Sequence, residues 1–147
     1  MYGRVLVPLD GSELAECALP EVERLAKGGL VGEVLLLSVI ETHSVAFAEG
    51  IDLSALKASH YESAQVYLDR VRNQLFSKGI RTTMKLMEGN AASVIVSYAK
   101  EKNVGLIIIA THGYSGMKQL MFGSVSLRVL HDSHIPVLLI RPESCRL

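Results

Sequence analysis

Four short runs of almost unbroken apolar residues limit what this 147-residue chain can fold into: Val5 to Pro8, Val34 to Ile40, Val104 to Ala110 and Pro136 to Ile140. A strand wet on one face alternates polar and apolar residues. These runs do not, so each reads as a strand buried on both faces, the mark of a parallel sheet with helices above and below. A fifth segment, Ile80 to Met87, is weaker and alternates through Thr82, Met84, Leu86 and then Glu88, which predicts a strand nearer an edge.

Helical patterns fill the gaps. Ser12 can cap a helix whose face carries Leu14, Ala15, Ala18, Leu19, Val22, Leu25 and Ala26, with Glu13 and Glu16 near its positive end and Gly28-Gly29 as its stop. Pro20 falls inside that pattern and predicts a kink with one backbone bond lost. Residues 54–78 read as a long polar helix burying Leu56, Tyr61, Ala64, Leu68, Val71 and Leu75, closed by Gly79. Asn90 caps a third helix with Val94, Ile95, Tyr98 and Ala99 inward, and Ser124 to His131 reads as a fourth. Glu41 to Leu53 keeps no period and is expected to be a loop. The alternation predicts one domain over residues 1–147: an α/β three-layer sandwich on a five-stranded, mostly parallel, doubly wound, Rossmann-like sheet.

Composition removes several functions. Lys plus Arg equals Asp plus Glu, 15 each, and there are three Phe, five Tyr and no Trp. The first leaves no basic excess for a nucleic-acid backbone, and the second too few aromatics for base stacking, so no nucleic acid is expected as a partner. No apolar run approaches the ~20 residues of a membrane helix, and Met1 to Arg4 leads into a strand rather than a signal-peptide core, which predicts a cytoplasmic protein with no membrane contact. Cys17 and Cys145 have neither metal-ligand nor redox spacing and are expected as free thiols.

The chemistry gathers where strands end. Between the strand finishing at Ala110 and the helix starting at Ser124 lie Gly113, Gly116 and Gly123 with hydroxyls at Thr111, Ser115 and Ser124. That composition lets backbone amides converge on an oxyanion, and the helix dipole favours a phosphate there. Glycine and serine at a helix start are also the ordinary means of capping any helix. In an open parallel sheet, ligands sit beyond the carboxyl ends of the strands where the strand order reverses. If the first and fourth strands are neighbours there, Asp10 faces the glycine loop across the crevice. Asp10 has a plainer reading too, as a turn residue at a helix start.

The chain as a whole resembles the universal stress proteins, from Val5-Leu-Val-Pro-Leu-Asp-Gly-Ser12 to Pro136-Val-Leu-Leu-Ile-Arg141. The nucleotide-binding branch of that family carries G-x-x-G, nine residues, then G and S or T. Here Ala110-Thr-His-Gly113, nine residues and Gly123-Ser124 keep the spacing, with Ala110 in the place of the first glycine. A methyl group is tolerated at that position if the backbone keeps a negative φ. The resemblance implies an adenine-nucleotide (ATP, or AMP or ADP) binding stress-response or signalling protein, with Mg2+ as an accompanying ion. It implies that Pro8, Leu9 and Asp10 flank the adenosine, Asp10 accepting a ribose hydroxyl. Val39 meets the adenine edge through its backbone, Ala110 stands at the first motif position, and His112, Gly113, Gly123, Ser124 and Val125 cradle the phosphates. It further implies a homodimer through the C-terminal strand. The apolarity of Val137 to Ile140 is explained equally by an interior strand covered on both faces.

Two other functions compete: a dimeric interaction module of the same fold without nucleotide, and a slow ATPase. No P-loop lysine, base or nucleophile marks an enzyme, so no catalytic residue is assigned. His131-Asp-Ser-His134 holds an H-x-x-H spacing and the members of a hydrolase triad, but imidazoles suit the negative end of a helix and Asp and Ser suit a turn, so no metal site is assigned. Lys118 reads as a solvated loop lysine.

Overall fold

The computed structural model describes residues 1–41, 53–111 and 124–141. Five strands, β1 (Tyr2–Pro8), β2 (Val31–Ile40), β3 (Thr82–Glu88), β4 (Leu106–Ala110) and β5 (Val137–Ile140), form one sheet in the order β3-β2-β1-β4-β5. Every neighbouring pair is parallel. Among the described residues, four α-helices, α1 (Leu19–Lys27), α2 (Leu53–Ser77), α3 (Ala91–Glu101) and α4 (Ser124–Asp132), lie between them. This is the α/β, doubly wound Rossmann-like architecture that the apolar runs predict, and β3 does lie at an edge.

The pleat sorts the strand residues between two cores. Val5, Val7, Val34, Leu36, Leu106 and Ile108 pack with Val22 of α1 and Leu68, Val71 and Leu75 of α2. Leu6, Leu35, Leu37, Ile107 and Ile109 pack on the opposite face with Ile95 and Ala99 of α3 and Val129 of α4. Burial on both faces is why these strands show no alternation. It also fixes the topology: the chain steps outward from β1 to β3 with α1 and α2 on one face, then returns to the other side of β1 with α3 and α4 on the opposite face. Right-handed crossovers in opposite directions require that exchange.

The first helical region is organised differently from the expected single kinked helix. Ala15–Ala18 is a 3₁₀ turn, and α1 begins only at Leu19, so Pro20 stands in the first turn of an α-helix. No backbone bond is sacrificed there, because first-turn amides have no intrahelical acceptor and the proline ring already holds a helical φ. Gly29 (φ +72°) and Gly79 (φ +79°) end α1 and α2 in the left-handed conformation, and the Leu30 and Ile80 amides reach back to the carbonyls of Leu25 and Leu75. Cys17 corrects a further expectation: it is buried and disulfide-bonded, not a free thiol. Among the described residues β5 pairs with β4 alone, and all four of its residues are half-buried, so it is an edge strand and not an interior one.

Candidate functional site

β1 and β4 lead to helices packed on opposite faces of the sheet, and a crevice opens beyond the carboxyl ends of the two strands. Here β1 and β4 are adjacent, Val5 pairing with Leu106 and Leu6 with Ile107, which is the adjacency that the placement of Asp10 at the crevice requires. The crevice is a cavity of about 220 Å³ lined by Pro8, Leu9 and Asp10 after β1, Val39 and Glu41 at the end of β2, and Ala110 at the end of β4. Its floor is apolar, from Leu37, Ile95 and Ile109, and α4 contributes Val125 and Ser126.

Each wall is held by identifiable bonds. The Leu9 amide donates to the Leu37 carbonyl at 2.8 Å, and the buried Ser38 hydroxyl donates to the Leu9 carbonyl at 2.6 Å, so the chain leaving β1 is stapled to β2 just before Asp10. Gly11 then turns with φ +88°, a conformation costly for a side chain with a Cβ. Asp10 Oδ1 accepts the Ser12 amide at 2.9 Å and the Ser12 hydroxyl at 2.5 Å, while Ser12 Oγ accepts the Ala15 amide at 3.1 Å. Both readings of Asp10 therefore apply to one side chain: it builds the turn, and an ionised carboxylate has further acceptor sites to offer a ligand. Opposite, the Thr111 amide donates to the Ile140 carbonyl at 2.9 Å and anchors the end of β4 to β5.

β2 runs on to Ile40, although its pairing with β1 stops at Leu37. Val39 thus presents its β1-side backbone to the crevice rather than to a neighbouring strand. Glu41 Oε1 accepts the Ala91 amide at 3.3 Å, at the first residue of α3, and Asn90 Oδ1 accepts the Ser93 amide at 3.1 Å as the expected cap. Behind Asp10, Glu16 accepts both the Tyr67 hydroxyl and the Arg70 guanidinium at 3.2 Å. Burial and then the charge of Glu16 push the Tyr67 phenol well above its usual range, with Asp10 adding to the effect and Arg70 opposing it.

Of the predicted site residues, Pro8, Leu9, Asp10, Val39, Ala110 and Val125 line the crevice. Ser124 opens α4 as expected but is exposed outside the lining, and Ser126, buried one turn-face further on, is the serine that faces the cavity. His112, Gly113 and Gly123 lie outside the described residues. Ala110 has ordinary strand backbone, paired with Ile140; Asn103 is the one non-glycine with positive φ among the described residues. The conformational freedom of glycine is therefore not needed there. Ala15, Leu37, Glu41, Ala91, Ile95 and Ile109 were not anticipated as site residues. The switch-point rule applied to all three strands around the crevice would have found most of them.

At the end of α4, the His131 to His134 segment makes local contacts, and Lys118 lies outside the described residues. Asp132 lies 2.8 Å from His131 Nδ1 and accepts from Arg128 Nε at 2.9 Å, and these two contacts, His131 foremost, hold its carboxyl below the usual range. Ser133 is spent on the backbone of Ile135. Among the described residues, no group of three His, Cys, Asp or Glu could hold a metal ion, and no helix is long and apolar enough to cross a membrane. A larger hollow of about 510 Å³ between α2 and β3 is lined by Tyr61, Gln65, Asp69 and Arg72. It lies along the sheet edge, away from the switch point.

An open parallel sheet with a crevice at its switch point, walled by a strand-end aspartate and a helix N-terminus, is a doubly wound α/β fold. The sequence profile of the Universal stress protein family matches residues 1–141. The chain belongs to that family. Universal stress protein YxiE of Bacillus subtilis is 28% identical, the match covering 96% of this chain and all of that protein. Universal stress protein MJ0577 of Methanocaldococcus jannaschii is 29% identical over 98% of both chains. The solved structure of MJ0577 superposes with a TM-score of 0.86 at 31% identity, covering 96% of each chain. A universal stress protein solved in complex with cAMP shares the fold at 20% identity, with a TM-score of 0.71 over 95% of this chain and 97% of that one.

Proposed function

We propose that this protein binds an adenine nucleotide, with ATP as the principal ligand, in the crevice between β1 and β4, and acts as a cytoplasmic stress-response or signalling component. The observation that carries the reading is the crevice itself, which puts Asp10, the open backbone edge of Val39 and the N-terminus of α4 around one cavity. An apolar slot over Leu37, Ile95 and Ile109 suits a purine, Asp10 suits ribose hydroxyls, and the positive end of a helix dipole suits phosphate. Ser124 and Val125 serve that end, joined in this proposal by His112, Gly113 and Gly123. The cAMP-bound relative supports an adenine nucleotide on this fold. The described donors do not fit a protein-held Mg2+, because Asp10 stands at the sugar end.

Calorimetric titration of ATP and AMP into the protein checks this. Saturable binding is expected, weakened about tenfold or more by Asp10→Ala, which removes a charged hydrogen-bond acceptor worth ~1.5–3 kcal/mol. No heat with either nucleotide contradicts it. Among the described residues β5 has an unpaired edge, and Leu127 and Leu130 of α4 are 51% and 43% exposed. We place a homodimer there, strand against strand. Light scattering should give twice the chain mass for the wild type and the single mass for Leu139→Lys; a monomeric wild type ends that part of the reading.

A further inference from the structure

Asp10 is an exposed turn residue, yet the direction of its carboxylate is set by a chain of bonds that ends on a buried helix. Its Oδ1 accepts the Ser12 amide and hydroxyl, and Ser12 Oγ in turn accepts the Ala15 amide. Ala15 lines the crevice and opens the 3₁₀ turn Ala15–Ala18. Cys17 and Ala18 bury the far end of that turn, whereas Ala15 and Glu16 at its near end are only half-buried, and 3₁₀ bonds are poorly aligned. The near end is held from outside the segment. Glu16 Oε2 accepts the Tyr67 hydroxyl and the Arg70 guanidinium, each at 3.2 Å, from α2. That helix is a firm base, because its Leu68, Val71 and Leu75 are fully buried in the core.

We propose that Glu16 is a positioning residue for the ribose of the ligand: tied to Tyr67 and Arg70, it fixes the near end of the 3₁₀ turn and, through Ala15 and Ser12, the direction in which Asp10 presents its carboxylate. This rests on the nucleotide reading of the crevice, with Asp10 at the sugar. Glu16 itself is outside the crevice lining, so it acts without touching the ligand. Burial, then the charge of Glu16, keep the Tyr67 phenol protonated, and it remains a donor to the carboxylate. The Arg70 guanidinium lies 5.3 Å from the centre of the Tyr67 ring, so the two donors brace each other as well as Glu16. Hydrogen bonds weaken steeply with misalignment, and a ribose diol donates to a carboxylate only when it is faced by it. Contacts to the base and the phosphates do not pass through Asp10. Loosening Glu16 therefore costs ribose recognition first.

The test is calorimetric titration of ATP and of 2′,3′-dideoxyATP, which lacks both ribose hydroxyls, into the wild type, Glu16→Ala and Tyr67→Phe. The wild type is expected to prefer ATP by about tenfold or more. Both substitutions should reduce that preference by more than about twofold, Glu16→Ala the more, by weakening ATP while the dideoxy ligand binds nearly as before. A general loosening of the fold would weaken both ligands alike. A preference unchanged to within about twofold in Glu16→Ala, or in Tyr67→Phe should thermal melting show Glu16→Ala unfolded, overturns the positioning role and leaves the nucleotide reading standing. A wild type that binds both ligands equally has no ribose contact at Asp10, which overturns the inference while the nucleotide reading again stands. A wild type that binds neither overturns that reading and the inference with it.

Discussion

Ala91→Trp is expected to abolish nucleotide binding, lowering affinity by about a hundredfold or more, while the melting temperature moves by only a few degrees. Ala91 is half-buried at the first position of α3 and lines the crevice beside Glu41, outside both hydrophobic cores. An indole is large against a cavity of about 220 Å³ that Ala91 lines. It takes the space of the base in its apolar slot, and that apolar enclosure dominates the burial of a purine ligand. Parallel calorimetry and thermal melting read both quantities. Retained ATP binding by a folded variant would place the ligand elsewhere.

The second large effect falls on stability. Leu36→Ala should cost about 2–5 kcal/mol, because a fully buried leucine in the layer between β2 and α2 leaves a cavity that a sheet fixed on both faces cannot collapse to fill. Total stabilities of such domains are only about 5–15 kcal/mol, so a visibly lower urea midpoint with an unchanged slope is expected. Val66→Ser, on the exposed face of α2 at 66% exposure, should stay within about 0.5 kcal/mol of the wild type. Equal losses from both would mean that the two-sided core is not where stability resides.

These two substitutions also separate what was legible in the sequence from what was not. Leu36 and its neighbours announce themselves because burial on both faces suppresses alternation, and that suppression is visible in composition alone. The extra strand residues Val31 to Glu33 were missed because Gly32 and Glu33 break the apolar run. A Cβ at Gly32 would lie 2.6 Å from the Gly3 carbonyl oxygen, so close backbone approach, not hydrophobicity, sets the residue there. Pro20 was misread because a 3₁₀ turn followed by an α-helix keeps nearly the same apolar spacing as one continuous helix. Only the hydrogen bonds distinguish them.

The site divides in the same way. Asp10 and Ala110 were legible because each ends a strand and the rule for parallel sheets points to strand ends. The adjacency of β1 and β4 had to be assumed, since crossover direction leaves no periodic signal. Glu41 and Ala91 were invisible for a related reason. They meet only because β2 outruns β1 and the start of α3 folds back over its end, a contact between residues 50 apart in sequence. Ala110 illustrates the reverse case, a departure from the family pattern that is tolerated on condition of a negative φ. Paired with Ile140 and outside the positive-φ region, it occupies backbone that any residue can adopt.

The central claim is that an adenine nucleotide occupies the crevice beyond β1 and β4. Amide chemical-shift mapping of isotope-labelled protein titrated with ATP tests it most directly. Saturating shifts are predicted at Asp10, Val39, Glu41, Ala91, Ala110 and Ser126, with β3 and the outer face of α2 unchanged. Shifts absent from these amides, or gathered instead around the hollow of Tyr61, Gln65 and Arg72, would contradict the account.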